Sequence, residues 1–180
     1  MFVCSEFMVD NLTVKLVLPE VKQAQSLFNL VVHDRKKLAR FLPWAQEMKT
    51  VQDEVDFIKI MRQQNAVYQT LALVVLVDGQ AAGMVDVHNI SLKNECGEIG
   101  YWLGQAYQGR GIMTNAVRAV IKLAFDELGL HRLNLLADHR NQPSRAIAER
   151  LNFTHVALLR DEVKYHGKFC DMDLYTMINE

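Results

Sequence analysis

A chain of 180 residues, half of them hydrophobic and 23% charged, has the size and makeup of one globular domain with a substantial core. Its net charge of −1 excludes the broad basic footprint with which nucleic-acid binders neutralise phosphates, so no direct nucleic-acid partner is expected. No apolar run approaches the roughly 18 residues that span a bilayer, and the opening MFVCSEFMVD carries Glu6 and Asp10 where a signal peptide would be basic and then apolar.

A cytoplasmic protein with no membrane partner is therefore expected. Cys4, Cys96 and Cys170 are odd in number, far apart and without a C-x-x-C pair, which suits reduced thiols. The six histidines show no H-E-x-x-H or clustered spacing, so no metal site is expected.

The first strand is read at LTVKLVL, residues 12–18. Pro19 then opens a helical stretch with Val21, Ala24, Leu27, Phe28 and Val31 on one face. A break at Pro43 and Trp44 follows. Thr50 with Asp53 three residues on forms a capping box for a second helix that ends near Gln64.

Residues 70–77, 81–90 and 96–103, separated by turns at Asp78-Gly79 and Lys93-Asn94, read as a meander of three antiparallel strands. Residues 112–128 form a mostly buried helix whose polar stripe is Asn115, Arg118, Lys122 and Asp126, stopped by Gly129. RLNLLA (132–137) supplies a strand, and Pro143 begins a short helix through Leu151 with Asn152 at its end. Strands at about 154–162 and 168–178 flank a turn at Gly167. The order β-α-α-β-β-β-α-β-α-β-β mixes a meander with crossovers. It predicts an α+β fold, a mixed, largely antiparallel sheet with helices on both faces.

The stretch QGRGIMTNA (108–116), between a strand and a helix, draws the functional question. A dinucleotide fingerprint needs a third glycine where Thr114 stands, and a Walker A loop needs Lys and Ser or Thr where Ile112 and Met113 stand. What remains is either a plain turn or an anion cradle made of the helix's free amides, with Gly109 and Gly111 letting an oxygen approach the backbone.

Gln108, Gly111 and Met113 in the pattern Gln-x-x-Gly-x-[Gly/Ala], after GEIGYWLG and before NQPSRAIAERLNF with Asn141 and Ser144, resemble the acetyl-CoA-binding core of the GNAT acyltransferase superfamily. With YHGKFCDMDLY added, the branch most resembled is the ribosomal-protein-serine N-acetyltransferases. The likeness covers 97–180 and is weak before Thr70; Met113 departs from the usual small residue.

The resemblance implies a single acetyltransferase domain over 1–180, a central sheet splayed open, and acetyl-CoA as cosubstrate. Tyr101, Trp102 and Leu103 would offer strand-edge groups to the pantetheine arm. Gln108, Gly109, Arg110, Gly111, Ile112, Met113 and Thr114 would seat the pyrophosphate, and Asn141 would orient the arm or its loop. Arg110 adds charge there, or is simply a solvated loop residue.

The reaction implied is direct attack of an amine on the thioester through a tetrahedral intermediate. Ser144 is the expected hydrogen-bond donor to the leaving sulfur, its alternative being a helix cap. Glu98 is the expected base, with Asp86 and His88 as other candidates facing the same side, and an exposed strand residue as the plain alternative.

The acceptor implied is a protein N-terminus, that of a ribosomal protein. The competing readings are a polyamine or aminoglycoside, served by Glu47, Asp53, Glu54 and Asp56, and a non-catalytic acyl-CoA-binding module. A homodimer is compatible with the resemblance. Trp44 and Phe41 belong either to the core or to the substrate entrance.

Overall fold

The computed structural model describes residues 1–165 and 167–180; His166, inside the YHGKFCDMDLY stretch, lies outside them. Two strands, not one, precede the first helix. The unexpected β1 (Val3–Val9) turns at Asp10 and pairs antiparallel with β2 (Leu12–Val17). Its sequence VCSEFMV lacks a clean alternation because β1 is an edge strand, paired on one side only and exposed at Val3 and Met8.

A short 3₁₀ turn (Val21–Gln23) leads into α1 (Ala24–Leu38), and the Pro43-Trp44 break proves to start a one-turn helix, α2 (Trp44–Glu47). Arg35 holds that turn in place, donating to the carbonyls of Ala45 and of Met48, the latter at 2.6 Å. α3 (Val51–Ala66) opens with the expected capping box. Thr50 accepts from the Asp53 amide, and the Asp53 carboxylate accepts from the Thr50 amide at 2.8 Å.

The meander follows as β3 (Leu71–Val77), β4 (Gln80–Ser91) and β5 (Cys96–Leu103). Then come α4 (Ile112–Asp126), β6 (Arg132–Asp138), α5 (Gln142–Arg150), β7 (Thr154–Tyr165) and β8 (Lys168–Ile178). Among the described residues eight strands join one sheet in the order β1-β2-β3-β4-β5-β6-β8-β7.

Among the described residues the β5–β6 pair is the one parallel pairing, and it is short. It runs from Cys96 opposite Arg132 to Glu98 opposite Asn134 and then stops, while β5 stays paired with β4 as far as Leu103 and β6 with β8 as far as Asp138. Two strands that continue after their mutual bonding ends must diverge, so the sheet opens as a V from Ile99 onward.

Helices cover both faces, as the alternation of apolar and polar residues predicts. α4 buries Ile112, Met113, Ala116, Val117, Val120, Ile121 and Ala124 against Val14, Leu73, Val85 and Ile99, with Ile147 and Ala148 of α5 in the same cluster. α1 and α3 pack Leu27, Val31, Leu38 and Ile58 over Val74, Met84 and Trp102 on the opposite face. Among the described residues no helix is long and apolar enough to cross a membrane.

Candidate active site

Tyr101 bridges the V. It lies three residues past the last β5–β6 pair, on the α4 side of the sheet, and its hydroxyl is 2.8 Å from Ser144 Oγ and 3.2 Å from the Ser144 carbonyl. Burial pushes the phenol up to about 12, so it keeps its proton. Ser144 is not the helix cap. Asn141 takes that place, its Oδ1 accepting from the Ser144 amide at 3.4 Å with Pro143 in the first turn, which leaves the serine hydroxyl free of capping duty. Asn141 thus fixes where Ser144 stands.

The glycine loop joins the end of β5 to α4. Gly109 and Gly111 both adopt left-handed conformations, φ 74° and 78°, which side-chain-bearing residues rarely tolerate. Gly111 is the N-cap of α4, and the first amide to find an intrahelical acceptor is that of Asn115, which donates to the Gly111 carbonyl. The amides of Ile112, Met113 and Thr114 therefore precede the helical ladder and carry the positive end of the helix dipole.

Met113, the departure from the family pattern, turns inward and is 6% exposed in the α4 core, so its bulk does not obstruct the loop's outer face. Gln108 turns back to donate to the Leu103 carbonyl at 2.7 Å, tying the loop to β5. That carbonyl, one of the expected pantetheine partners, is already engaged. Arg110 stands exposed on the loop.

Asp86, His88 and Glu98 form the third part of the site. Asp86 lies opposite Gly100 and His88 opposite Glu98, on the face shared with Met84 and Trp102 and therefore under α1 and α3. His88 Nδ1 is 2.6 Å from Asp86 Oδ1, and Nε2 is 3.3 Å from Glu98 Oε1. Hydrogen bonds to Asp86 and then to Glu98 push the imidazole up to about 10, against the opposing effect of burial. Facing a carboxylate at each nitrogen, the ring favours its doubly protonated form at neutral pH.

Trp102, on the same face, meets Trp44 edge-on with ring centroids 5.9 Å apart. Trp44 thereby packs against the core near the site, while Phe41 lies under the Arg40 guanidinium. The acidic residues that a polycation would need do not gather. Asp53 caps α3, Asp56 pairs with Lys59, Glu47 stays exposed on α2, and Glu54 is 1% exposed inside the α1–α3 core.

Sequence reasoning missed a second polar cluster behind α5. Asp173 of β8, 2% exposed, meets His155 Nε2 at 2.8 Å, His139 Nδ1 at 2.9 Å and Arg145 Nε at 3.0 Å. Burial would raise the Asp173 carboxyl, but bonds from His155 and His139, with the charge of Arg145, hold it below the usual carboxylate range. The alternation of DMDLY was the available signal, since it puts Asp173 on the same inward face as Tyr175. Among the described residues no cluster suited to a metal ion forms.

A diverging strand pair, free amides at a glycine-capped helix start, and a hydroxyl pair across the gap together fit a thioester cosubstrate carrying a pyrophosphate. The comparisons agree with that geometry. Residues 14–154 match the family model described as an acetyltransferase (GNAT) domain, a span that runs from within β2 through α5 and hence contains the V, the loop and Ser144.

YdaF of Bacillus subtilis (strain 168), provisionally named a ribosomal N-acetyltransferase, is 31% identical over 179 residues, 99% of this chain and 96% of its own length. The ribosomal-protein-serine acetyltransferase of Escherichia coli (strain K12) is 26% identical over 84% of this chain and 85% of its own. The spermidine N(1)-acetyltransferase of Escherichia coli (strain K12) is 29% identical over 53% of this chain and 52% of its own. The crystal structure of the microcin self-immunity acetyltransferase MccE with acetyl-CoA and AMP superposes with a TM-score of 0.88 at 28% identity, covering 92% of each chain. The chain belongs to the GNAT acetyltransferase family and is an acetyl-CoA-dependent N-acetyltransferase.

Proposed function

We propose that the acceptor is the N-terminal α-amine of a protein, specifically a ribosomal protein, with Glu98 taking the amine's proton and Ser144 donating a hydrogen bond to the departing sulfur. The observation that carries the acceptor class is the makeup of the Asp86–His88–Glu98 group, two carboxylates around one imidazole. One carboxylate in excess of the imidazole suits a single neutral amine that gives up one proton, whereas a polyamine would call for several uncompensated carboxylates, and the acidic residues of α2 and α3 lie elsewhere. The ribosomal assignment draws support from the end-to-end likeness to YdaF, beside which the spermidine enzyme's likeness extends over half the chain.

The acyl thioester supplies the activated acetyl group. The chain's residues hold it and manage protons. The loop amides of Ile112, Met113 and Thr114 receive the pyrophosphate, and the unpaired edge of β5 beyond Glu98 receives the extended arm.

An α-amine titrates near pH 8, well below a lysine, so a carboxylate is a sufficient proton acceptor. The amine nitrogen bonds to the carbonyl carbon, the C–S bond breaks with its electron pair on sulfur, and the nitrogen's proton passes to Glu98. Tyr101, kept protonated by burial, can donate to Ser144 Oγ, which leaves the serine hydrogen to face the thiolate. Mass spectrometry of intact ribosomes incubated with the enzyme and acetyl-CoA tests this reading. One ribosomal protein should gain a single acetyl group at its N-terminus. Turnover of spermidine with none of N-terminal peptides would overturn it.

A further inference from the structure

We propose that His88 is a positioning residue for the acetyl-transfer step: bonded at both ring nitrogens, it orients Glu98 toward the acceptor amine and balances the charge that Asp86 and Glu98 bring together. The inference deepens the proposed reaction and rests on Glu98 being its proton acceptor.

Three observations carry it. First, each nitrogen of the ring faces a carboxylate, Nδ1 toward Asp86 at 2.6 Å and Nε2 toward Glu98 at 3.3 Å, so both must hold a hydrogen for both contacts to be favourable. Asp86 thus fixes the ring and the ring fixes Glu98, an arrangement in which one side chain orients the next.

Second, the backbone is shaped for the ring. The β4–β5 register shifts between His88 and Ser91, and Asn89 within that bulge adopts φ 52°, a conformation rare for a residue with a side chain. A bulge interrupts pairing and re-aims the neighbouring side chain, and such outliers persist where the surrounding structure holds them.

Third, Gly100 leaves the room. A Cβ there would lie 3.1 Å from both Asp86 carboxylate oxygens and from His88 Cε1, closer than ordinary packing allows.

Asp86 from β4 and Glu98 from β5 are the charged groups acting on the ring. Neighbouring polar groups are committed elsewhere. Asn65 of α3 bonds Thr70 and the backbone of Ala72, and Asn134 of β6 accepts from Thr176. With its imidazolium between two carboxylates, the group is set for a proton to arrive at Glu98 from the amine and leave to solvent once the product dissociates.

The test uses the full chain and two readouts. In ¹⁵N-labelled protein, both His88 ring nitrogens should give protonated shifts from pH 6 to 9, and Glu98→Gln should bring the ring's titration down toward the ordinary histidine range. In kinetics, kcat is measured against pH on the acceptor that turns over fastest in a panel of N-terminal peptides and spermidine. His88→Gln should lower kcat by about tenfold at pH 7 and move its acid limb about one pH unit upward, because a cation beside the proton acceptor has been removed, while KM for acetyl-CoA stays within twofold.

In a Glu98→Gln background, His88→Gln should add no further loss. An unmoved acid limb with a uniform fall at every pH, additive losses in the double variant, or a His88 ring that titrates normally in the wild type would each overturn the proposal. A panel in which spermidine outpaces every peptide would overturn the acceptor reading alone, since the His88 readouts do not depend on which amine is used.

Discussion

The two histidine–carboxylate clusters on either side of the V use the same ingredients in opposite proportions. Between β4 and β5, two carboxylates surround one imidazole, the groups are about a third exposed, and the histidine is held cationic. Behind α5, two histidines and Arg145 surround one carboxylate that is nearly inaccessible, and the carboxylate is held anionic.

A buried carboxylate satisfied by three donors has nothing left to exchange, and its neighbour Arg145 also bonds the carbonyl of His139 and the hydroxyl of Tyr175. That cluster is scaffolding for α5, whose first turn carries Ser144. The more open cluster has one carboxylate in excess of its imidazole, and it is the one to which we assign the amine's proton. On that proposal the same residue types serve chemistry or architecture according to stoichiometry and burial.

The largest expected effect lies on the open side. Glu98→Gln should lower turnover by about 10³-fold, within the usual range for losing a general base, without changing the melting temperature. If it destabilises the fold as much as a change at Asp173, the distinction between the clusters fails.

Glu54 sharpens the contrast from a third position, as a buried carboxylate with no hydrogen-bond partner at Oε1 among the described residues. Burial pushes it up to about 7 from 4.5. A carboxyl raised in the folded state contributes stability that is complete below its unfolded value and is lost as pH rises through 7. Glu54→Gln should therefore gain roughly 3 kcal/mol relative to wild type at pH 8 and almost nothing at pH 4, as read by urea denaturation at the two pH values.

At Asp173 the sign reverses. A lowered carboxyl contributes stability above the ordinary unfolded range, lost as pH falls through its folded value. Asp173→Asn should cost about 2 kcal/mol near neutrality, because its partners are partly solvated, and the difference should close below about pH 4. Its kcat at a temperature where both proteins are folded should change little.

The smallest effect is expected at the loop. Gly111→Ala should cost about 1 kcal/mol from its left-handed backbone and raise KM for acetyl-CoA more than it lowers kcat. Equal effects on both constants would remove the loop amides from cosubstrate binding.

Elements with strong local signals were readable along the chain. The Thr50–Asp53 box, the Asp78-Gly79 turn, the helix between Gly111 and Gly129, and the strand–loop–helix at QGRGIM depend on neighbours a few residues away, so periodicity and turn chemistry specify them. β1 was not readable, because an exposed edge strand needs no alternation. Nor was the inward turn of Met113, which depends on what the rest of the core offers. Sequence placed Ser144 and Glu98 among the candidates, yet it left the serine open as a helix cap.

By itself the sequence determined that a glycine-broken loop opens an amphipathic helix after a central strand, since these are matters of backbone conformation and short-range pattern. Tertiary structure alone decided that Tyr101 reaches Ser144, 43 residues away, and that Asp86, His88 and Glu98 form one charged group. It also decided that Asp173 is enclosed by residues from β7, α5 and the turn after β6. The physical reason is that register across strands and the docking of a helix on a sheet set these distances, and both are products of the packed whole.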